Sequence, residues 1–96
     1  MIGENMKARA KVLISGRVQG VLFRARAMQK AVQQSVNGWV RNLPDGRVEA
    51  VFEGEKEEVD TMVAFCIEGP RGAMVIGVDV KWEPFTGEFK DFKIRH

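Results

Sequence analysis

Every even position from Ala8 to Ile14 is apolar, and the odd positions Lys7, Arg9 and Lys11 are cationic. A period of two with one apolar side predicts a half-buried strand whose other face, with Lys7, Arg9 and Lys11, points to water. After Ile14 the alternation stops at Ser15-Gly16-Arg17-Val18-Gln19-Gly20-Val21, whose glycines interrupt any regular pattern. A helical spacing then begins, with Val21, Ala25, Met28, Val32 and Val36 as its stripe. Gly38 to Leu43 reads as a second strand, and Pro44-Asp45-Gly46 supplies turn chemistry, since Pro presets φ and Gly accepts φ > 0. Beyond the turn Val48, Ala50 and Phe52 alternate with Arg47, Glu49 and Glu53, which are expected to face outward. The two runs form a hairpin.

Gly54 ends the hairpin, and the acids of 55–58 sit where a helix N-terminus favours negative charge. Val59, Met62, Val63, Cys66 and Ile67 recur at helical spacing, and Gly69-Pro70 stops that helix. Met74, Ile76, Val78, Val80 and Trp82 alternate as a fourth strand. Residues 89–95, with Phe92 and Ile94 on one side, add an edge strand. The order β-α-β-β-α-β plus a terminal strand is the split βαβ arrangement of ferredoxin-like α/β (α+β) sandwiches. Its sheet is expected to be mainly antiparallel, with four or five strands and both helices on the side of Ala8, Ala10, Val12 and Ile14.

Composition narrows the function classes. With 96 residues the chain makes one domain, read as residues 7–96 behind a flexible tail over 1–6. A net charge of +2 is no nucleic-acid footprint. One cysteine, Cys66, and one histidine, His96, exclude a disulfide framework and the usual zinc sets. Cys66 falls on an apolar stripe and reads as a small buried hydrophobe, and His96, the last residue, as frayed. No apolar run has the length of a membrane span, the first residues lack a secretory signal, and a cytoplasmic protein is expected. Nothing in the pattern demands self-association, and a monomer is expected.

Two segments carry candidate chemistry. Gly16-Arg17-Val18-Gln19-Gly20-Val21 lies between a strand and a helix N-terminus, where backbone N–H groups can converge on an anion. Arg24, in the first helical turn, can fork two donors onto the same group. The Gly-Lys-Ser/Thr ending of a nucleotide P-loop is missing. Alternatively the glycines only turn the chain and Arg24 is solvated. Asn42 is a poor strand former and lies on the Val40 side, opposite Trp39 and Arg41. It either bonds local turn backbone or offers a neutral amide that can hold a water.

The run Gly16-Arg17-Val18-Gln19-Gly20-Val21-Leu22-Phe23-Arg24, followed by Gly38-Trp39-Val40-Arg41-Asn42-Leu43-Pro44-Asp45-Gly46-Arg47-Val48-Glu49, resembles the acylphosphatase family. The match extends from Lys11 to Ile94, including Glu53-Gly54 and Gly69-Pro70. The resemblance implies a ferredoxin-like enzyme that hydrolyses the carboxyl-phosphate mixed anhydride of a small acyl phosphate, without metal, cofactor or nucleotide. It implies that Arg24 is the phosphate-binding catalytic arginine, that Asn42 positions the attacking water, and that residues from Arg17 to Val21 form the phosphate loop begun at Gly16. Two departures stand out: Gln34-Ser35 replaces a common Leu-Gly pair at the end of the first helix, and His96 stands where an aromatic residue is frequent. An RNA-binding module on the same fold would need exposed aromatics on its central strands, which the third strand lacks, and Trp39 and Trp82 read as packing residues. A regulatory domain that binds an anion without hydrolysing anything is the other alternative.

Overall fold

The structure, a computed structural model, describes residues 6–96. The segment read as a tail lies outside the described residues except for Met6, whose carbonyl accepts the Lys56 N–H at 3.0 Å. Seven elements follow in order: β1 (Lys7–Arg17), α1 (Phe23–Gln33), β2 (Asn37–Asn42), β3 (Val48–Glu55), α2 (Lys56–Glu68), β4 (Met74–Glu83) and β5 (Phe92–Arg95). They build a five-stranded sheet in the order β4-β1-β3-β2-β5. β1 runs antiparallel to β3 and β4, and β2 antiparallel to β3 but parallel to β5. The βαββαβ core is the ferredoxin-like sandwich its element order predicts. Among the described residues no helix is long and apolar enough to cross a membrane.

Ala8, Ala10, Val12 and Ile14 of β1 and Val48, Ala50 and Phe52 of β3 meet the helices in one buried cluster. Each fully buried Val, Ile or Phe there contributes about 1.5–3 kcal/mol. The stripe of α1 differs from the one expected. Its buried residues are Phe23, Ala27 and Ala31, while Val32 is 63% exposed. The helix begins only at Phe23, so Val21 precedes it and Val36 follows it, and neither can set its phase. That phase is set by Phe23, whose ring packs edge-on against Phe65 of α2 at 5.7 Å. Alanines at 27 and 31 then let the helix lie close to the sheet. Ser35 takes the left-handed conformation (φ 58) at the turn out of α1, a position where glycine carries no steric penalty.

The simple alternation expected of β4 also fails. Ser15 pairs with Gly77 but Gly16 pairs with Val75, so Ile76 is an extra residue and side-chain parity flips there. Val75, Val78 and Val80 pack against the core, whereas Met74 and Ile76 are exposed, Ile76 at 76%. On α2, Val59, Met62 and Cys66 are buried as expected, but Ile67 is exposed.

The open face of the sheet is not simply solvated. Glu53, expected to point to water, does lie on that face, yet it is only 2% exposed. Its carboxylate accepts from Arg9 Nη1 at 3.0 Å, from the Thr86 N–H and hydroxyl at 2.9 Å each, and from the Gly87 N–H at 3.1 Å. Arg9 also donates to Glu83 and Glu88. Glu49 is covered by Arg41 at 2.7 Å and Lys11 at 3.5 Å. Strand parity was legible; what was not is that β3 is the central strand and that the segment after β4 folds over it.

Burial alone would raise the Glu53 pKa, but the hydrogen bonds from Thr86, Arg9 and Gly87 together hold it below the usual carboxylate range. A depressed folded-state pKa contributes stability above the unfolded value, about 4.3, and that contribution is lost as pH falls through the folded pKa. Replacing Glu53 by Gln should therefore lower stability at pH 7 by about 3 kcal/mol in urea denaturation and flatten the stability loss of the protein as pH falls below the ordinary carboxylate range.

Candidate active site

The segment that connects β1 to α1 is shorter than its sequence suggests. Gly16 and Arg17 belong to β1 and pair with Val75 and Met74, so the loop proper starts at Val18 rather than Gly16. Gly16 is still required: with φ 124, a Cβ there would lie 2.1 Å from the Met74 carbonyl oxygen. Val18 is buried and anchors the loop, and Val21 packs against the core. The chain reverses through left-handed residues at Gly20 (φ 75) and Leu22 (φ 63). For a leucine this conformation costs about 1–2 kcal/mol.

That turn leaves donors free. Among the described residues, the N–H groups of 19–25 have no hydrogen-bond partner, and the first of the run to find one is Arg26, 3.0 Å from the Leu22 carbonyl. No side chain caps α1, and its first turn has no acid to neutralise the positive helix end. Unpaired amides at a helix N-terminus suit an anion.

Gln19 ties this turn to the β2–β3 hairpin. Its side-chain Nε2 donates to the Leu43 carbonyl at 2.8 Å and the Arg47 carbonyl at 2.9 Å. The hairpin is braced in turn by Asp45, which accepts from the Arg47 N–H at 3.1 Å and from Arg47 Nε at 2.8 Å. The Arg47 N–H is the main reason the Asp45 carboxyl is held below its ordinary range. Asn42, the last residue of β2, is thereby fixed opposite the loop.

Arg24 and Asn42 line one cavity of about 350 Å³, together with Val18, Gly20, Leu22, Phe23, Ala25, Ile94 and His96. Sequence reading missed the last two, and treated His96 as frayed. Its Nδ1 lies 3.4 Å from Arg24 Nη1, a contact in which the ring proton sits on Nε2 and Arg24 donates. The reason is topological. Because β5 runs parallel to β2, the C-terminal end of β5 lies beside the end of β2 that bears Asn42. No local pattern announces a parallel edge strand.

Other candidates lie elsewhere. Cys66 is fully buried among apolar side chains, which pushes its thiol up to about 12 and keeps it protonated. A concavity of about 410 Å³ between residues 33–37 and 85–89 is bordered by Glu53, whose oxygens are already engaged. Trp39, on the open face, is covered by the guanidinium groups of Arg41 at 5.2 Å and Arg95 at 4.7 Å, and Lys56 lies 4.5 Å from the Trp82 ring. Among the described residues no three His, Cys, Asp or Glu side chains are grouped to hold a metal ion.

A family model described as Acylphosphatase matches residues 10–94. The acylphosphatase of Roseiflexus sp. (strain RS-1) is 61% identical over 87 residues, covering 91% of this chain and 94% of the relative. Among solved structures, an acylphosphatase from Coxiella burnetii superposes with a TM-score of 0.87 at 35% identity, over 93% of each chain. The acylphosphatase from Bacillus subtilis gives 0.88 at 29% identity, over 93% of this chain and 99% of that one.

Replacing Gln19 by Ala removes both ties between loop and hairpin. At about 0.5–1.5 kcal/mol for each neutral bond, a stability loss of about 1–3 kcal/mol is expected in chemical denaturation. Weaker binding of inorganic phosphate, read by isothermal titration, should accompany it.

Proposed function

The chain belongs to the acylphosphatase family, enzymes that hydrolyse acyl phosphates, and from that premise we propose that it does so in the cavity between the 18–22 loop and the end of β2. In this reading Arg24 and the loop amides hold the phosphoryl group, and Asn42 holds the water that attacks it. The observation that carries the reading is that Arg24, Asn42 and the loop residues Gly20 and Leu22, whose N–H groups have no hydrogen-bond partner among the described residues, line one cavity.

The chemistry asks for little more. The leaving group is a carboxylate, whose conjugate acid has a pKa near 4, so it departs without protonation. The remaining demands are to neutralise the phosphoryl oxygens and to place water in line with the breaking bond. His96 engages one Arg24 nitrogen and leaves Nε and Nη2 for a two-point fork on phosphate. The Asn42 carbonyl oxygen can accept a hydrogen bond from the attacking water and so orient its lone pair toward phosphorus. No carboxylate borders the cavity among the described residues, so a phosphoryl oxygen of the substrate takes the water's proton. The reading needs no cofactor or metal and no partner chain. It places a monomer in the cytoplasm, a setting with which the unpaired Cys66 is compatible.

Following the absorbance of benzoyl phosphate tests these roles. Arg24→Ala should lower kcat/KM by at least about 10²–10³-fold with unchanged circular dichroism. Arg24→Lys should fare nearly as badly, because a point charge cannot reproduce the fork; normal turnover by either would sink the assignment. Asn42→Ala should reduce kcat by about 10²-fold or more while the inhibition constant for inorganic phosphate stays close to that of the unmodified protein. Parallel losses in both quantities would make Asn42 a binding residue instead.

A further inference from the structure

Leu22 breaks three local rules at once. It is a non-glycine residue in the left-handed region, it stands at the start of α1 with no side-chain oxygen to cap the helix, and it is an apolar side chain 65% exposed. Asn or Gly would relieve the first fault and Ser or Asp the second. The folded chain gains little from leucine here, and residues held against local preference gather at ligand sites.

The surroundings say which ligand. Leu22 and Ala25, three apart at the first turn of α1, border the cavity that holds Arg24, and Val18 and Ile94 extend the apolar lining. Among the described residues the only titratable group on that lining besides Arg24 is His96, whose Nδ1 lies 3.4 Å from Arg24 Nη1. An acyl phosphate has one dianionic end and one acyl end. With the phosphoryl group on Arg24 and the loop amides, the acyl group is left to the apolar part of the same cavity. We propose that Leu22 is a specificity-determining contact for the acyl half, and that the enzyme selects acyl phosphates with apolar aromatic or aliphatic acyl groups over short ones. The proposal rests on the phosphate site described above.

The test compares kcat/KM for benzoyl phosphate and acetyl phosphate in the unmodified protein and in Leu22→Asn, Leu22→Gly and Leu22→Met. The unmodified protein should favour benzoyl phosphate. In the Asn and Gly variants the benzoyl-to-acetyl ratio should fall by about tenfold, mainly through KM for benzoyl phosphate, and Leu22→Met should retain the preference. The urea midpoint of Leu22→Asn should be at or above that of the parent, because left-handed strain is relieved. A ratio unchanged in both truncations, or no preference in the parent, overturns the proposal while leaving the phosphate site intact. Normal turnover of both substrates by Arg24→Ala overturns the site itself, and the proposal with it.

Discussion

The side-chain amide of Gln19 is the joint on which the site depends. Between β1 and α1 the chain passes through a turn that regular backbone hydrogen bonding does not support, and this is why its N–H groups stay available. A turn with unpaired donors and two left-handed residues has little to hold its shape. Gln19 gives it one, by reaching the Leu43 and Arg47 carbonyls of the hairpin. The same two bonds set the separation between the loop and Asn42. One neutral side chain thus ties both halves of the cavity together, and does so without adding charge beside Arg24.

The two faces of the sheet are held by different physics. Toward the helices, alternating Ala, Val, Ile and Phe side chains form one apolar cluster. On the open face, Glu49 and Glu53 of the central strand are neutralised by Arg9, Lys11 and Arg41 from the neighbouring strands. Buried charges on β3 are tolerated because its neighbours place cations directly across from them, and because Thr86 and Gly87 add N–H and O–H donors to Glu53. The cavity lined by Arg24 carries no such pair: among the described residues no Asp or Glu side chain borders it.

Local rules are broken together at the cavity that Arg24 and Asn42 line. Leu22 is strained and exposed, the start of α1 is uncapped, and backbone donors go unpaired. Ser35 is also left-handed, but it ends a helix away from the site, and there the fault is a matter of local stability alone. The difference is that Leu22 and Gly20 line a shared concavity with Arg24 and Asn42, whereas Ser35 borders the concavity beside the already engaged Glu53.

The sequence by itself determined the element order, the core face of β1 and β3, and the hairpin at Pro44-Asp45-Gly46, because periodicity and turn chemistry are local properties of the chain. Tertiary structure alone decided the phase of α1, since Phe23 against Phe65 outweighs a stripe of valines that begins before the helix does. It also decided the parity flip at Ile76, which depends on how Gly16 meets β4, and the burial of Glu53, which requires β3 to be central. His96 and Ile94 joined the cavity for the same reason. Whether β5 pairs parallel to β2 is a contact between distant segments, and no spacing within either segment carries that information.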